Sequence, residues 1–127
     1  DGSHWNAAEF IRRDACDIMR TSTHYKGGFT GGMKVGHVAE AFGMKAEVHG
    51  GGHNNLHLCL ALPNNTYYED LVIDVEDIEG KGKGGLKFKN GMYSFKEQAA
   101  GVGIEYDQSE LENISIQKYE KYSNGKN

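Results

Sequence analysis

The chain is poor in clustered positive charge: 14 lysines and arginines stand against 18 aspartates and glutamates, a formal net charge of −4 over 127 residues. A protein that grips a nucleic-acid backbone gains affinity by displacing counterions with clustered cations. Here the lysines between 81 and 89 are spaced by glycines and follow an acidic run, so no nucleic-acid partner is expected. No stretch approaches the roughly 20 apolar residues of a membrane span, and no membrane partner is expected either. Cysteine is scarce. Cys16 and Cys59 lack the paired spacing of a zinc site or a disulfide framework, and both read as reduced core residues on helices of a cytoplasmic protein. Internal repeats are missing, which removes array folds. The length of 127 residues suffices to bury a core but falls short of the roughly 250 that a closed (β/α) barrel needs.

What the chain does have is alternation. Ser3 or Asn6 stands where a first helix would be capped, with Ala7, Phe10, Ile11 and Ala15 at helical spacing. Residues 17–71 then read as strand, helix, strand, helix, strand. Ile18 to Thr21 is the first short strand. Thr30 is the expected cap of a helix through Phe42, with Met33, Val38, Ala41 and Phe42 inward and Gly43 as its left-handed stop. Lys45 to Val48 is the second strand, apolar on both faces as covered parallel strands are. After Gly50 to Gly52, Asn54 or Asn55 opens a helix that Pro63, Asn64 and Asn65 end, and Tyr67 to Glu69 is the third strand. The short connections predict that residues 18–21, 45–48 and 67–69 lie adjacent and parallel with their helices outside.

From Val72 the texture becomes acidic and then glycine-rich, so two parts are expected, 1–71 and 72–127. In the second, Asn90 and Gly91 between LKFK and MYSF carry the signature of a hairpin with a type I′ turn. The polar run beyond Asp107 reads as a tail.

In a sheet of parallel strands the carboxyl ends carry the chemistry. His49 and Glu69 fall at two such ends and are expected to project into one polar cleft. His49, His53 and His57 are spaced four apart, which would stack them on one continuous helix, but Gly50 to Gly52 interrupts it. The triple glycine lacks the lysine of a phosphate-binding loop.

Together, the glycine pair at 27 and 28, the helix ending in AEAFGM, the strand ending in His49 and Glu69 in YYEDL resemble the enolase superfamily, specifically its mandelate racemase subgroup. The resemblance covers about residues 5–71 well and continues more loosely through LKFKNGMYSF and AGVGIEYD. There the family has a Pro-Gly-Leu-Gly run and this chain has Ala100, Gly101, Val102 and Gly103. It implies an α/β fold: the last three strands of a partial (β/α) barrel with their helices, plus a hairpin segment that packs beside an amino-terminal capping domain.

The resemblance also implies a site. Family enzymes remove the proton alpha to a carboxylate, and an imidazole serves as base or as the acid that expels a hydroxyl, which assigns catalysis to His49. Its usual aspartate partner would stand five residues before the first glycine of the pair, where this chain has Ser22. Thr23 or His24 could compensate by hydrogen bonding, or His49 could act only as an acid. Glu69 matches a buried, protonated carboxylic acid that hydrogen-bonds the substrate carboxylate. His24, Lys26 and His53 are assigned to substrate binding.

The implied cofactor is Mg²⁺ in a complete enzyme, with its acidic ligands expected upstream of residue 1 and none assigned to this chain. The expected reaction is dehydration of a sugar acid or other hydroxy acid to a 2-keto-3-deoxy acid by a lyase that is a homo-oligomer when complete, this chain being an inactive fragment of it. Two alternatives stand: a racemase or epimerase of the same subgroup, and a non-catalytic half-barrel binding module.

Overall fold

The computed structural model describes residues 3–70, 85–95, 100–104, 107–109 and 112. The expected boundary after Leu71, the glycine-rich crossing and most of the polar tail lie outside these residues. Five elements build the body: α1 (Ala7–Arg12), β1 (Met19–Thr21), α2 (Gly28–Ala41), β2 (Ala46–Val48) and α3 (His53–Ala61), and a hairpin of β3 (Leu86–Lys89) and β4 (Met92–Phe95) follows. No helix among the described residues is long and apolar enough to cross a membrane.

β1 and β2 are parallel, with Met19 opposite Ala46, Arg20 opposite Glu47 and Thr21 opposite Val48. Alternation along β1 sends Met19 and Thr21 into the interior and leaves Arg20 exposed. One apolar cluster joins Ala7 and Ile11 of α1 to Met19, Val35, Ala39 and Ala46. A second joins Val48 to Leu58 and Leu62, with Met33 and Cys59 packed at its edge. Fully burying each of these larger side chains contributes roughly 1.5–3 kcal/mol. The strand–helix–strand–helix order around a parallel pair is that of a partial (β/α) barrel.

Helix α2 differs from its sequence reading in both start and face. It begins at Gly28, after Gly27 at φ +84°, because the glycine pair lets the chain turn into the helix ahead of Thr30. Its buried face is Gly31, Gly32, Val35, Gly36 and Ala39. Met33 and Val38 are half-buried, while Ala41 and Phe42 are exposed. The glycines explain the close packing. A Cβ on Gly36 would stand 2.2 Å from Leu62 Cδ2, and one on Gly31 only 1.4 Å from the Lys26 carbonyl oxygen. In α1, Ala7 and Ile11 are buried while Phe10 is exposed, as is Ala15 beyond the helix end; Asn6 precedes the helix without a capping side-chain bond.

The third expected strand, residues 67–69, runs past β2 without a backbone ladder. One backbone bond, Ala46 N to the Asn64 carbonyl at 3.1 Å, leads into it, and side chains make the contacts beyond. Val48 N donates to Asn65 Oδ1 at 3.1 Å, Thr66 N donates to Glu47 Oε2 at 3.0 Å, and Asn65 Nδ2 donates to the Tyr67 carbonyl at 3.0 Å. Asn64 ties α2 to the turn before β2 by donating to Gly36 O and Met44 O.

The hairpin forms as the sequence reads. β3 and β4 are antiparallel with Lys89 opposite Met92, and both Asn90 (φ 53°) and Gly91 (φ 77°) are left-handed, as a type I′ turn demands. Phe95 packs on His53 and His57 of α3 at ring distances of 5.7 and 4.3 Å, and the Tyr93 hydroxyl donates to Asp70. Cys16 lies in the loop after α1 rather than on a helix and Cys59 on α3; both are free thiols.

Candidate active site

The strand ends of β1 and β2 gather one polar cluster. His49 follows β2, and its backbone N donates to the Thr21 carbonyl at 2.7 Å, which fixes the loop at the end of the parallel pair. Glu69 comes from the extended segment beyond Asn65 and places Oε2 at 2.7 Å from His49 Nδ1. The same oxygen accepts the Gly50 amide at 2.6 Å. Residues 49 and 69 thus share one end of the sheet.

Arg20 completes the cluster, and the sequence reading passed over it. Its Nη2 stands 2.9 Å from both Glu69 oxygens and 2.7 Å from His49 Nδ1, and Nη1 donates to the Tyr67 hydroxyl at 3.3 Å. The available signal was the alternation along β1: with Met19 and Thr21 committed to the interior, Arg20 had to face residues 67–69. Burial by itself would raise the Glu69 carboxyl. Hydrogen bonds from Gly50, Arg20 and His49, with the Arg20 charge, reverse this and bring it down to about 2. Glu69 is therefore an ionised acceptor, unlike the protonated donor expected from the resemblance, and the physical reason is the Gly50 amide together with the arginine beside it.

Ser22 is buried, and its Oγ accepts the His24 amide at 3.1 Å. It caps its own loop. His24 lies at the rim, its Nδ1 3.4 Å from Asn55 Nδ2, and Tyr25 stacks over His49 with ring centres 6.3 Å apart. Lys26 is buried rather than solvated. Its Nζ donates to the Ser3 carbonyl at 3.2 Å, away from the cluster, and burial lowers its pKa from the ordinary lysine value. His53 is the first residue of α3, buried beneath Phe95, so it belongs to the seat of the hairpin.

Asn55 is the second residue the sequence did not single out for this role. Read there as one of two possible starts of a helix, it is instead fully buried inside α3. Its Oδ1 accepts both Thr23 N (2.9 Å) and Thr23 Oγ1 (2.8 Å), and its Nδ2 donates to the carbonyls of His49 (2.9 Å) and Gly50 (3.0 Å). One side-chain amide joins the loops after β1 and β2. Among the described residues no three His, Cys, Asp or Glu side chains gather to hold a metal ion, so these residues do not fit a magnesium site.

The sequence model of the family described as Enolase C-terminal domain-like matches residues 2–110. Among solved structures, D-glucarate dehydratase from Agrobacterium tumefaciens, complexed with magnesium, is 47% identical over 54% of this chain and 17% of its own, with a TM-score of 0.51. A racemase from Streptomyces coelicolor A3(2) with bound magnesium covers 90% of this chain and 30% of its own at 19% identity, TM-score 0.73. An enolase of the mandelate racemase subgroup from Agrobacterium tumefaciens, with sodium and phosphate, covers 88% and 32% at 21% identity, TM-score 0.68. The two weaker identities speak to the fold alone. The chain spans less than a third of the length of each of these proteins. No curated protein sequence matches it.

Proposed function

Because this chain belongs to the enolase C-terminal domain-like family, a part of the enolase superfamily, we propose that it is the carboxyl-terminal barrel portion of a magnesium-dependent lyase that dehydrates a sugar acid to a 2-keto-3-deoxy acid. Its substrate is a small hydroxy acid, and the complete enzyme is a cytoplasmic homo-oligomer; the free thiols of Cys16 and Cys59 favour a reducing compartment. Residues 1–71 form the barrel portion and 72–127 the return segment. The observation that carries the reading is the meeting of His49 and Glu69 at one end of a parallel strand pair. The 47% identity to a D-glucarate dehydratase over half the chain supports dehydration as the reaction.

In this reading His49 exchanges protons with the acid at its α-carbon and β-hydroxyl, Arg20 holds the Glu69 carboxylate beside it, and His24 stands at the rim of the cleft. Lys26 and His53 hold the surrounding architecture. Magnesium belongs to the complete enzyme, and no step assigned to this chain passes through it.

The test is the full-length gene product with magnesium and a panel of sugar acids, assayed for 2-keto acid. His49→Asn should lower turnover by roughly two to four orders of magnitude, the range for losing a general acid or base, with metal affinity nearly unchanged. Release of an epimer without 2-keto acid would replace dehydration by racemisation. Binding of an acid with no conversion would leave a binding module.

A further inference from the structure

An imidazole that trades protons at Nε2 needs a partner at Nδ1 to fix its tautomer and its orientation. The position from which a carboxylate was expected holds Ser22, whose hydroxyl is committed to the His24 amide. Other groups face the His49 ring instead: the Glu69 carboxylate, the Arg20 guanidinium and the Tyr25 ring.

We infer that Glu69, held in place by Arg20, is the carboxylate partner of His49, accepting Nδ1–H and leaving Nε2 as the nitrogen that exchanges protons with the substrate. The inference deepens the dehydratase reading and rests on it for its catalytic meaning. Two placements support it. Oε2 lies 2.7 Å from Nδ1 and also takes the amide of Gly50, so the carboxylate is anchored to the loop that carries the imidazole. Arg20 sits 2.9 Å from both carboxylate oxygens, which pins the side chain from its other side. Arg20 is thereby a positioning residue.

Arg20 Nη2 is also 2.7 Å from Nδ1 and is the rival partner. Arginine can only donate and an ionised carboxylate can only accept, so a proton on Nδ1 decides between them. Nδ1–H sets two donors 2.7 Å apart, a contact that a small turn of the guanidinium relieves while Arg20 keeps both Glu69 oxygens and the Tyr67 hydroxyl. Stripping Nδ1 of its proton would instead set a lone pair against a carboxylate at hydrogen-bond distance, which is repulsive. The balance favours Nδ1–H on Glu69, a charge-assisted bond.

The proton traffic then closes. Nε2 takes the substrate's α-proton, and the resulting imidazolium keeps Nδ1–H on Glu69. The imidazolium returns the Nε2 proton to the departing β-hydroxyl, which leaves as water with the C–O electron pair. His49 ends as it began, and the acid has lost one hydrogen and one hydroxyl.

The experiment is nitrogen-15 NMR of the histidine rings in the 127-residue chain, above the pH at which the ring is cationic. The expected result is His49 with its proton on Nδ1 in the wild type, a shift to the Nε2–H form in Glu69→Ala, and retention of Nδ1–H in Arg20→Lys with partial loss in Arg20→Met. A wild-type ring protonated on Nε2, or a Glu69→Ala ring still protonated on Nδ1, overturns the pairing. If Glu69→Ala does not fold, the wild-type spectrum decides alone. The readout needs no turnover, so a correct tautomer with no dehydration by the full-length protein would sink the functional reading and leave the pairing standing.

Discussion

The parallel pair β1–β2 and the hairpin β3–β4 hold their strands together by different means. In the hairpin each ladder partner is close in sequence, and the left-handed Asn90–Gly91 turn sets the register by itself. In the parallel pair the strands are three residues each and separated by a whole helix. Backbone bonds alone are few there. Amide side chains make up the difference, buried Asn55 across the strand ends and half-buried Asn64 and Asn65 beside β2. Local pairing follows from turn chemistry, whereas distant pairing needs polar side chains that no periodicity announces.

Four perturbations break or sharpen this contrast. Gly31→Ala should be the most damaging, because its Cβ would meet the Lys26 carbonyl oxygen at 1.4 Å. That atom is backbone and cannot swing aside, so the loss should reach or exceed about 3 kcal/mol, the upper end of overpacking costs. Urea denaturation would show it, and a loss below about 1 kcal/mol would mean that α2 docks differently. Asn55→Ala strands the carbonyls of His49 and Gly50 and the Thr23 amide in a buried place. At roughly 1–3 kcal/mol for each unsatisfied group, less whatever water recovers, a loss of about 3 kcal/mol is expected, with the hairpin's NMR shifts unmoved.

Acid is the third perturbation. The Glu69 carboxyl is depressed in the folded chain from 4.5 to about 2, so its contribution to stability is complete above pH 4.5 and drains away as pH falls toward 2. With the side chain still 24% exposed, that contribution is on the order of 2 kcal/mol. Glu69→Gln should flatten the acid limb of a stability–pH curve, and an unchanged limb would remove the ion pair from the balance. Gly91→Ala is the mildest. A side chain at φ +77° costs about 1 kcal/mol, and the effect should stay within β3–β4, leaving exchange protection in β1 and β2 untouched.

The sequence was legible where a physical rule is local. The hairpin turn, the left-handed Gly43 stop and the succession of short strands and helices all follow from residue type and spacing. The α2 face was not, because a hydrophobic pattern gives glycine no weight while close packing against Leu58 and Leu62 gives it the most. The resemblance to a family brought His49 and Glu69 forward, and the structure sets them side by side. Arg20 was hidden because a basic residue at the middle of a short strand looks like a solvated face. Its neighbour Glu69 was read as a protonated acid from the resemblance, and the cation beside it, on a strand far away in sequence, was not in view. Asn55 was hidden by its motif: an asparagine near a helix start invites a capping role.

A side-chain amide engaged at both its oxygen and its nitrogen has no spare rotamer, and this bears on how the site moves. The loops after β1 and β2 are both fastened to the amide of Asn55, so they fluctuate as one body. Residues 66–70 are fastened to the same loops by other bonds, Gly50 N to Glu69 Oε2, Gly52 N to the Tyr68 hydroxyl and Arg20 to Glu69. They meet β2 through individual side chains, and Glu69 reaches His49 from that side. Imidazole and carboxylate therefore ride on one fastened set of loops, and opening the pair means breaking the Gly50 and Arg20 bonds to Glu69 along with it.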